Sequence, residues 1–272
     1  MTTDVASQPE EPEEPVEVLL PNTNIVTHCV LKNDVERLRK SFEDDEDPYK
    51  ETVADLINSR GRDGKSPLDL TSTLGRIELA KELILRGAEV NSANIKGYTA
   101  LHHAAAWGKV SLLKVLVDAL ADLQLKTAHG ERARETALRY NQTECVDFLD
   151  WAEAKSELLE AIRNHQEFLT DPERNQGRLT KEDKNIITNS CKEKTEWVEN
   201  TSDATTQDFI SQRQNLDEII TPIIQKLNEP GTNKIKTRTI IQIITIILPL
   251  NFSSLCMEYI TLCLYLVSIQ CF

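Results

Sequence analysis

The stretch that decides the fold runs from Gly64 to Asn94 and reads GKSPLDLTSTLGRIELAKELILRGAEVNSAN. Shifted by 33 residues, it lies without a gap over GYTALHHAAAWGKVSLLKVLVDALADLQLKT, from Gly97 to Thr127. A further step of 33 residues reaches Gly130 and a weaker copy, ERARETALRYNQTECVDFLDWA. A fixed period of this length is typical of a protein built from stacked repeats, each too small to bury its own apolar face.

Each copy predicts two short helices joined by a tight bend. A glycine turn precedes Ser-Pro-Leu or Thr-Ala-Leu, and Pro or Ala suits the first helical turn, where the backbone N–H has no partner. Gly75, Gly108 and Asn141 stand where the first helix must end, since Gly and Asn tolerate a left-handed backbone. The second helix follows with apolar residues at helical spacing, as in Val110, Leu112, Leu113 and Leu116.

The period and the motifs SPLDLT and TALHHA resemble the ankyrin repeat. The resemblance is most specific over residues 63–126 and weaker over 127–154, where Arg132 and Arg134 replace the expected Thr and Leu. Together these residues are predicted as the ankyrin repeats, 63–154.

Upstream, residues 22–62 resemble a degenerate first ankyrin unit that carries an insert with the acidic run Glu43–Asp47. The acidic run either contacts a basic partner or simply keeps the surface solvated. With the three copies that follow, the chain is expected to stack four units.

The adjacent residues His102 and His103 raise the question of a metal or catalytic site. No Asp, Glu or Cys stands at ligand spacing from them, which favours a structural role. In the ankyrin pattern His102 holds the junction of turn and helix by hydrogen bonds to backbone. The sequence shows no Ser/His/Asp or Cys/His arrangement and no glycine-rich phosphate loop, so we predict no enzyme activity, no cofactor and no metal.

The ankyrin pattern places a further set of residues on the concave surface that faces a protein partner. Aromatic and arginine side chains in such a surface contribute disproportionately to binding. The alternative is that Trp107 and Tyr140 pack on each other's repeats. The predicted partner-binding residues are Arg62, Lys65, Leu74, Ile95, Lys96, Tyr98, Trp107 and Tyr140.

After the repeats, residues 155–228 are predicted to form a small antiparallel helical bundle with one buried stripe. In its second helix the apolar face is predicted to hold Ile186, Ile187, Cys191, Trp197 and Val198. LTKEDK, WVEN, DFISQRQNL and ITPIIQKL resemble the C-terminal helical lid of the seventy-kilodalton heat-shock chaperones. The peptide-binding and ATPase parts of those chaperones have no counterpart here, so the resemblance implies a packing or partner-contact module. The predicted fold class is all-α: an ankyrin-repeat solenoid followed by a small helical bundle.

The combination resembles a family of ankyrin-repeat proteins over residues 22–228. The family implies a cytoplasmic, non-enzymatic protein with a role in cell division, at the midbody, cleavage furrow or cilium. We therefore predict a scaffold or adaptor that binds a protein partner, such as a chaperone or a cytoskeletal protein. Two alternatives stay open: a chaperone-associated protein acting through the bundle, and a membrane-tethered adaptor.

The two ends differ from the rest in composition. Residues 1–21 are predicted to be a disordered acidic tail. The apolar segment 229–272 is a tail anchor with a basic flank, an amphipathic or buried extension, or an alternative end unrelated to the fold, which we favour. The net charge of −13 argues against nucleic-acid binding. The six cysteines form no CxxC pair, which favours a reducing compartment.

Overall fold

The computed structural model describes residues 17–171 and 179–228, and no strand occurs in these ranges. They divide into two compact units, one with residues 17–164 and 193–215 and the other with residues 165–171, 179–192 and 216–228. The helices are α1 (Ile25–Lys32), α2 (Val35–Glu43), α3 (Val53–Leu56), α4 (Pro67–Leu74), α5 (Ile77–Leu85), α6 (Ala100–Ala106), α7 (Val110–Asp118), α8 (Ala133–Arg139), α9 (Thr143–Thr170), α10 (Lys181–Asn200) and α11 (Thr206–Asn228). The predicted all-α fold with an ankyrin solenoid is confirmed.

The repeats build two layers of helices in the first unit. The inner layer packs α1 on α4, α4 on α6 and α6 on α8, while the outer layer packs α2 on α5 and α5 on α7. Alanines such as Ala104, Ala105 and Ala137 are buried in the inner layer, where neighbouring helices pass closely. Leucines of the outer helices, including Leu79, Leu83, Leu112 and Leu116, complete one continuous apolar core.

The bend between the two helices of each repeat has the predicted geometry. Gly75 and Gly108 adopt φ of 76° and 66°, and Asn141 adopts φ of 56°. These are left-handed conformations that Gly adopts freely and Asn tolerates. The prediction that these three residues end the inner helices is confirmed.

The N-terminus of each inner helix is capped with the help of a side chain three residues further along the chain. The Asp69 carboxylate accepts the Ser66 backbone N–H at 3.0 Å, and the Ser66 hydroxyl accepts the Asp69 N–H at 3.1 Å. In the third copy the Glu135 carboxylate accepts the backbone N–H of Arg132 at 2.8 Å. Arg132 therefore stands where a Thr is expected without leaving the first N–H of the turn unpaired.

Tight turns, which we call fingers, precede the inner helices. Gly61 N–H donates to the Lys65 carbonyl, Asn94 N–H to the Tyr98 carbonyl, and Thr127 N–H to the Glu131 carbonyl, at 2.9 to 3.0 Å. The second and third fingers are joined by Ala128 N–H, which donates to the carbonyl of Lys96 at 2.9 Å. The fingers are thus fixed by backbone hydrogen bonds within each turn and between neighbouring turns.

The degenerate first ankyrin unit (residues 22–62) is stabilised by ion pairs around its acidic insert. Arg37 pairs with Asp47 at 2.8 Å and with Glu17 at 2.7 Å, and the Asp47 side chain is only 2 % exposed. Glu43 pairs with Arg86 at 2.5 Å. The acidic run Glu43–Asp47 therefore has internal cationic partners at both ends, which accounts for much of its charge without a basic partner protein.

Helix α9 is continuous across residues 154 and 155, where the repeats were predicted to give way to the bundle. In the first unit its Trp151 meets the Phe209 ring edge-on at 5.8 Å, and Trp197 meets Phe209 at 5.4 Å. The indole N–H of Trp151 donates to the Ala204 carbonyl at 2.9 Å. Parts of α10 and α11 thus pack against the helix that ends the repeat array.

The second unit buries the apolar faces predicted for the bundle. Ile187 and Cys191 of α10 are buried, as are Leu216, Ile220 and Ile223 of α11. The placement of Ile186 on the same face is wrong, because its side chain is 44 % exposed. Adjacent helical residues point about 100° apart, so Ile186 and Ile187 do not share a narrow face.

The terminal predictions fall largely outside the described residues. Residues 1–16 of the predicted acidic tail and the whole apolar segment 229–272 are not among them. Within the described ranges, the helices lack the combination of length and hydrophobicity that a membrane span requires.

Candidate protein-binding groove

A groove of about 1050 Å³ lies where the first two fingers meet the ends of two inner helices, all within the first unit. The fingers supply its walls and α6 supplies its floor, with contributions from the residues that end α8. Its lining, which defines the groove hereafter, is Arg60–Lys65, Asn94–Lys96, Tyr98, His103, Ala106, Trp107, His129, Tyr140 and Gln142.

The groove brings together seven of the eight predicted partner-binding residues: Arg62, Lys65, Ile95, Lys96, Tyr98, Trp107 and Tyr140. Leu74 is the exception. It ends α4 at the position that Trp107 and Tyr140 occupy in later repeats, and it is 43 % exposed, but it lies outside the groove lining.

Three large apolar side chains of the groove are solvent-exposed. Ile95 at the tip of the second finger is fully exposed, and Trp107 and Tyr140 are 58 % and 51 % exposed. Packing on neighbouring repeats, the alternative considered for Trp107 and Tyr140, leaves more than half of each side chain accessible. Clustered exposed apolar residues with polar neighbours are typical of protein-binding surfaces.

The charge of the groove is mainly positive. Arg60 is held by the buried carboxylate of Asp69 and by the Gly64 carbonyl, both at 2.8 Å. Arg62, Lys65 and Lys96 form no ion pair within the part of the chain that the structure describes, and Asp63 is the single acidic residue of the lining. The free cationic groups therefore outnumber the carboxylates.

His102 has the structural role predicted for it. Its Nδ1 lies 2.9 Å from the Thr99 hydroxyl and 3.3 Å from the Thr99 backbone N, while Nε2 lies 3.2 Å from the Glu131 carbonyl. Burial lowers the pKa of His102 despite the hydrogen bond to Glu131. A neutral ring with its proton on Nε2 satisfies these contacts, since Nδ1 then accepts and Nε2 donates. His102 thus ties α6 to the third finger.

His103 is a groove residue that sequence reasoning missed. Its Nε2 is buried and has no hydrogen-bond partner among the described residues. Burial lowers the pKa of His103, and the nearby charge of Lys65 acts in the same direction, against the opposing charge of Asp69. His103 precedes Trp107 by four residues, so the two share one face of α6, and that spacing was the available signal.

Tyr98 forms part of the groove wall, and its ring and hydroxyl already contact other groove or helix residues. Its ring lies 5.8 Å from the rings of both His102 and His103. Its hydroxyl accepts a hydrogen bond from the Arg139 guanidinium at 3.0 Å. Arg139 in turn lies over the Tyr140 ring at 4.9 Å from the centroid, which links the second finger to the exposed aromatic residue after α8.

The cysteines and the possible metal-binding groups of the described residues bear on whether the chain could carry out nucleophilic or metal chemistry. Cys29, Cys145 and Cys191 are buried. Burial raises the pKa of Cys29 to about 12 and that of Cys145 to about 11, so both are thiols at neutral pH. No group of three His, Cys, Asp or Glu placed to hold a metal occurs in these ranges.

Comparison with known proteins agrees with this architecture. The family model for ankyrin repeats (three copies) matches residues 47–156. Ankyrin repeat domain-containing protein 45 of Homo sapiens is 38% identical over 207 residues, which cover 76% of this chain and 78% of that protein. This chain belongs to the ankyrin repeat domain-containing protein 45 family. Its repeats constitute a protein–protein interaction domain.

Two further relatives match over a smaller part of their own length. The family member of Danio rerio is 43% identical over 143 residues, which are 53% of this chain and 64% of that protein. Protein phosphatase 1 regulatory subunit 12A of Mus musculus is 28% identical over 149 residues, or 47% of this chain and 14% of that protein. The family membership follows from the match to the human relative, which covers most of both chains.

Proposed function

We propose that this protein is a non-enzymatic adaptor that holds a protein partner in the groove. The observation that carries the proposal is the convergence of Ile95, Trp107 and Tyr140, all more than half exposed, with three cationic side chains that form no ion pair among the described residues. Burying such aromatic residues in a partner's pocket supplies much of the binding free energy in typical interfaces.

The fold favours this function because the groove is preorganised. The second and third fingers are joined through Ala128 and Lys96, and His102 ties α6 to the third finger at Glu131. A surface that is already rigid loses little conformational entropy when a partner binds. Shape and charge complementarity on a fixed stack is therefore sufficient as a mechanism, and no chemical step is required.

The test is affinity capture from dividing cells with the full chain and a Trp107→Ala/Tyr140→Ala variant. Both side chains are largely exposed, so the variant should keep the helical circular dichroism of the wild type. A groove-bound partner should be retained at least tenfold less by the variant, because truncating two interface aromatics costs about 1.4 kcal/mol or more.

The matched control is Leu85→Ala/Leu120→Ala, which removes two exposed apolar side chains, 76 % and 84 % exposed, that lie outside the groove. Partners lost in the groove variant and kept in this control support the proposal. Partners kept by both variants would contradict it, and a chaperone among them would direct attention to residues 155–228.

The cellular setting is a separate proposal that rests on the family resemblance. We expect a cytoplasmic protein enriched at the midbody, cleavage furrow or cilium, with a role in cell division. Imaging of the tagged chain through mitosis tests this, and a uniform distribution at every stage would contradict it. Comparing membrane partition with and without residues 229–272 separately tests the membrane-tethered alternative.

A further inference from the structure

The groove has a charge opposite to that of the whole chain. The chain carries a net charge of −13. The groove lining nevertheless holds four cationic residues, Arg60, Arg62, Lys65 and Lys96, and one acidic residue, Asp63. A local cluster of cations on an acidic protein attracts acidic ligands selectively, because the surrounding surface repels them.

The cations are available at two depths. Arg62 and Lys96 lie exposed on the first and second fingers, while Lys65, two residues before α4, is partly buried. The carboxylate of Asp63 is turned back on its own finger, where it accepts the Lys65 backbone N–H at 3.2 Å. Carboxylates of a ligand that crossed both fingers would therefore meet cations along the whole path.

The floor provides an apolar seat beside these cations. Trp107 and Tyr140 are each more than half exposed, and the neighbouring lining residue Ala106 has a small side chain. His103 contributes to the same floor from α6. The combination suits a large apolar residue flanked by acidic ones.

We propose that the groove binds an extended acidic segment of a protein partner, with one large apolar residue seated against Trp107 and Tyr140. The carboxylates of the segment pair with Arg62, Lys65 and Lys96. This assignment rests on the proposed adaptor function and specifies the chemistry of its partner.

The chain's own acidic N-terminal residues are a competing occupant, but the structure favours a partner in trans. Glu17, where the described chain begins, is paired with Arg37 of α2. Helix α2 belongs to the outer layer, whereas the groove lies at the fingers and the inner helices α6 and α8. The described residue that follows the acidic segment therefore contacts the outer layer and is not part of the groove lining.

The experiment is selection of 12-residue random peptides displayed on phage against the full chain, with depletion on the Trp107→Ala/Tyr140→Ala variant. Enriched peptides are then synthesised with a fluorophore and titrated by fluorescence anisotropy. We expect net negative peptides with a conserved aromatic or large aliphatic residue, bound more weakly as salt rises. Lys65→Glu/Lys96→Glu should weaken binding at least tenfold, whereas Lys114→Glu/Lys126→Glu, an equal charge change outside the groove, should change it less than threefold.

Neutral or basic peptides that depend on the groove would overturn the acidic assignment while leaving the adaptor function intact. If depletion on the groove variant removed every peptide that binds the wild-type chain, that result would count against both. To test the competing occupant, Glu10, Glu11, Glu13 and Glu14 are changed together to Gln. Tighter peptide binding by tenfold or more would show that the N-terminal segment occupies the groove and would overturn the assignment to a partner; unchanged binding supports it.

Discussion

The central repeats and the first unit occupy equivalent places in the same stack but are held in different ways. Both have left-handed bends and capping side chains, supplied in the first ankyrin unit by Asn33 and Asn24. The central repeats add finger turns, which recur every 33 residues. In the first ankyrin unit, Arg37 pairs with Asp47 of the acidic insert, and Glu82 of the next repeat pairs with Arg39 and Arg86. The regular part therefore adds turn hydrogen bonds to the shared local pattern, and the irregular part adds ion pairs.

The largest effect that would sharpen this contrast is expected at Gly97. A Cβ there would lie 2.8 Å from both Thr127 Cα and Ala128 N, and φ is +78°. Gly97→Ala should therefore lower the free energy of unfolding by about 4 kcal/mol, combining left-handed strain with displacement of the third finger.

Gly64 is the matched control, because it has a similar φ of +73° but open space around its Cβ position. Gly64→Ala should cost only about 1 kcal/mol. Urea unfolding followed by circular dichroism measures both variants. Equal losses would show that contact between neighbouring fingers contributes nothing.

The next largest effect is expected in the first ankyrin unit. Arg37→Leu removes the cation beside Asp47, whose side chain is 2 % exposed, and leaves that carboxylate buried. We expect a loss of about 3 kcal/mol in urea unfolding. Lys81→Leu breaks the exposed pair with Glu78 and should cost under about 0.5 kcal/mol. If the two variants lost equal stability, the Arg37–Asp47 ion pair would not be a main source of stability for the first ankyrin unit.

A pH-dependent effect is expected at Glu82. Burial alone raises its pKa, but hydrogen bonds from Arg86 and Arg39 outweigh burial and hold the pKa of Glu82 below its usual range. A carboxyl with a lowered folded-state pKa stabilises the protein above its unfolded pKa of about 4.3, and the contribution is lost as pH falls through the folded value.

The wild type should therefore exceed Glu82→Gln in unfolding free energy at pH 7, and the gap should narrow as pH falls below about 5. Urea unfolding of both proteins at several pH values measures it. A gap of constant size from pH 7 to pH 3 would argue that Glu82 acts through packing and not through its charge.

The smallest effect is expected at Leu120, where one repeat departs from its own pattern. Leu120 adopts φ of 62°, one period after Gly87, whose φ is 96°. Leu120 is 84 % exposed, so its side chain contributes little packing. Leu120→Gly should raise the free energy of unfolding by about 1 kcal/mol, because the left-handed strain is relieved, and the melting temperature should rise with it. A lower melting temperature would mean that the leucine makes a stabilising contact.

The sequence was informative where structure depends on residues close together in the chain. The bends at Gly75, Gly108 and Asn141 and the role of His102 followed from a period of 33 and from backbone preferences. The pairing of Arg37 with Asp47 could not be predicted, because the insert interrupts the period and no local rule specifies partners across it.

The groove followed the same division. Repeat position alone indicated Trp107 and Tyr140, but it also suggested Leu74, which lies outside the lining. Equivalent positions in the repeat stack share the same backbone conformation. The residues of the neighbouring fingers that lie beside them differ from one repeat to the next. His103 was not predicted, because the ankyrin pattern supplies a capping role for its neighbour His102 and none for His103 itself.

The most direct test of the account is site-specific photo-crosslinking in cells, with benzoylphenylalanine at Ile95 of the groove or at Leu159 of α9. Both side chains are exposed, at 100 % and 41 %, so neither replacement should disturb the core. The account predicts a partner crosslinked from position 95, lost in the Trp107→Ala/Tyr140→Ala background, and absent from position 159. Crosslinks from position 159 alone would contradict it and assign partner binding to the long helix instead.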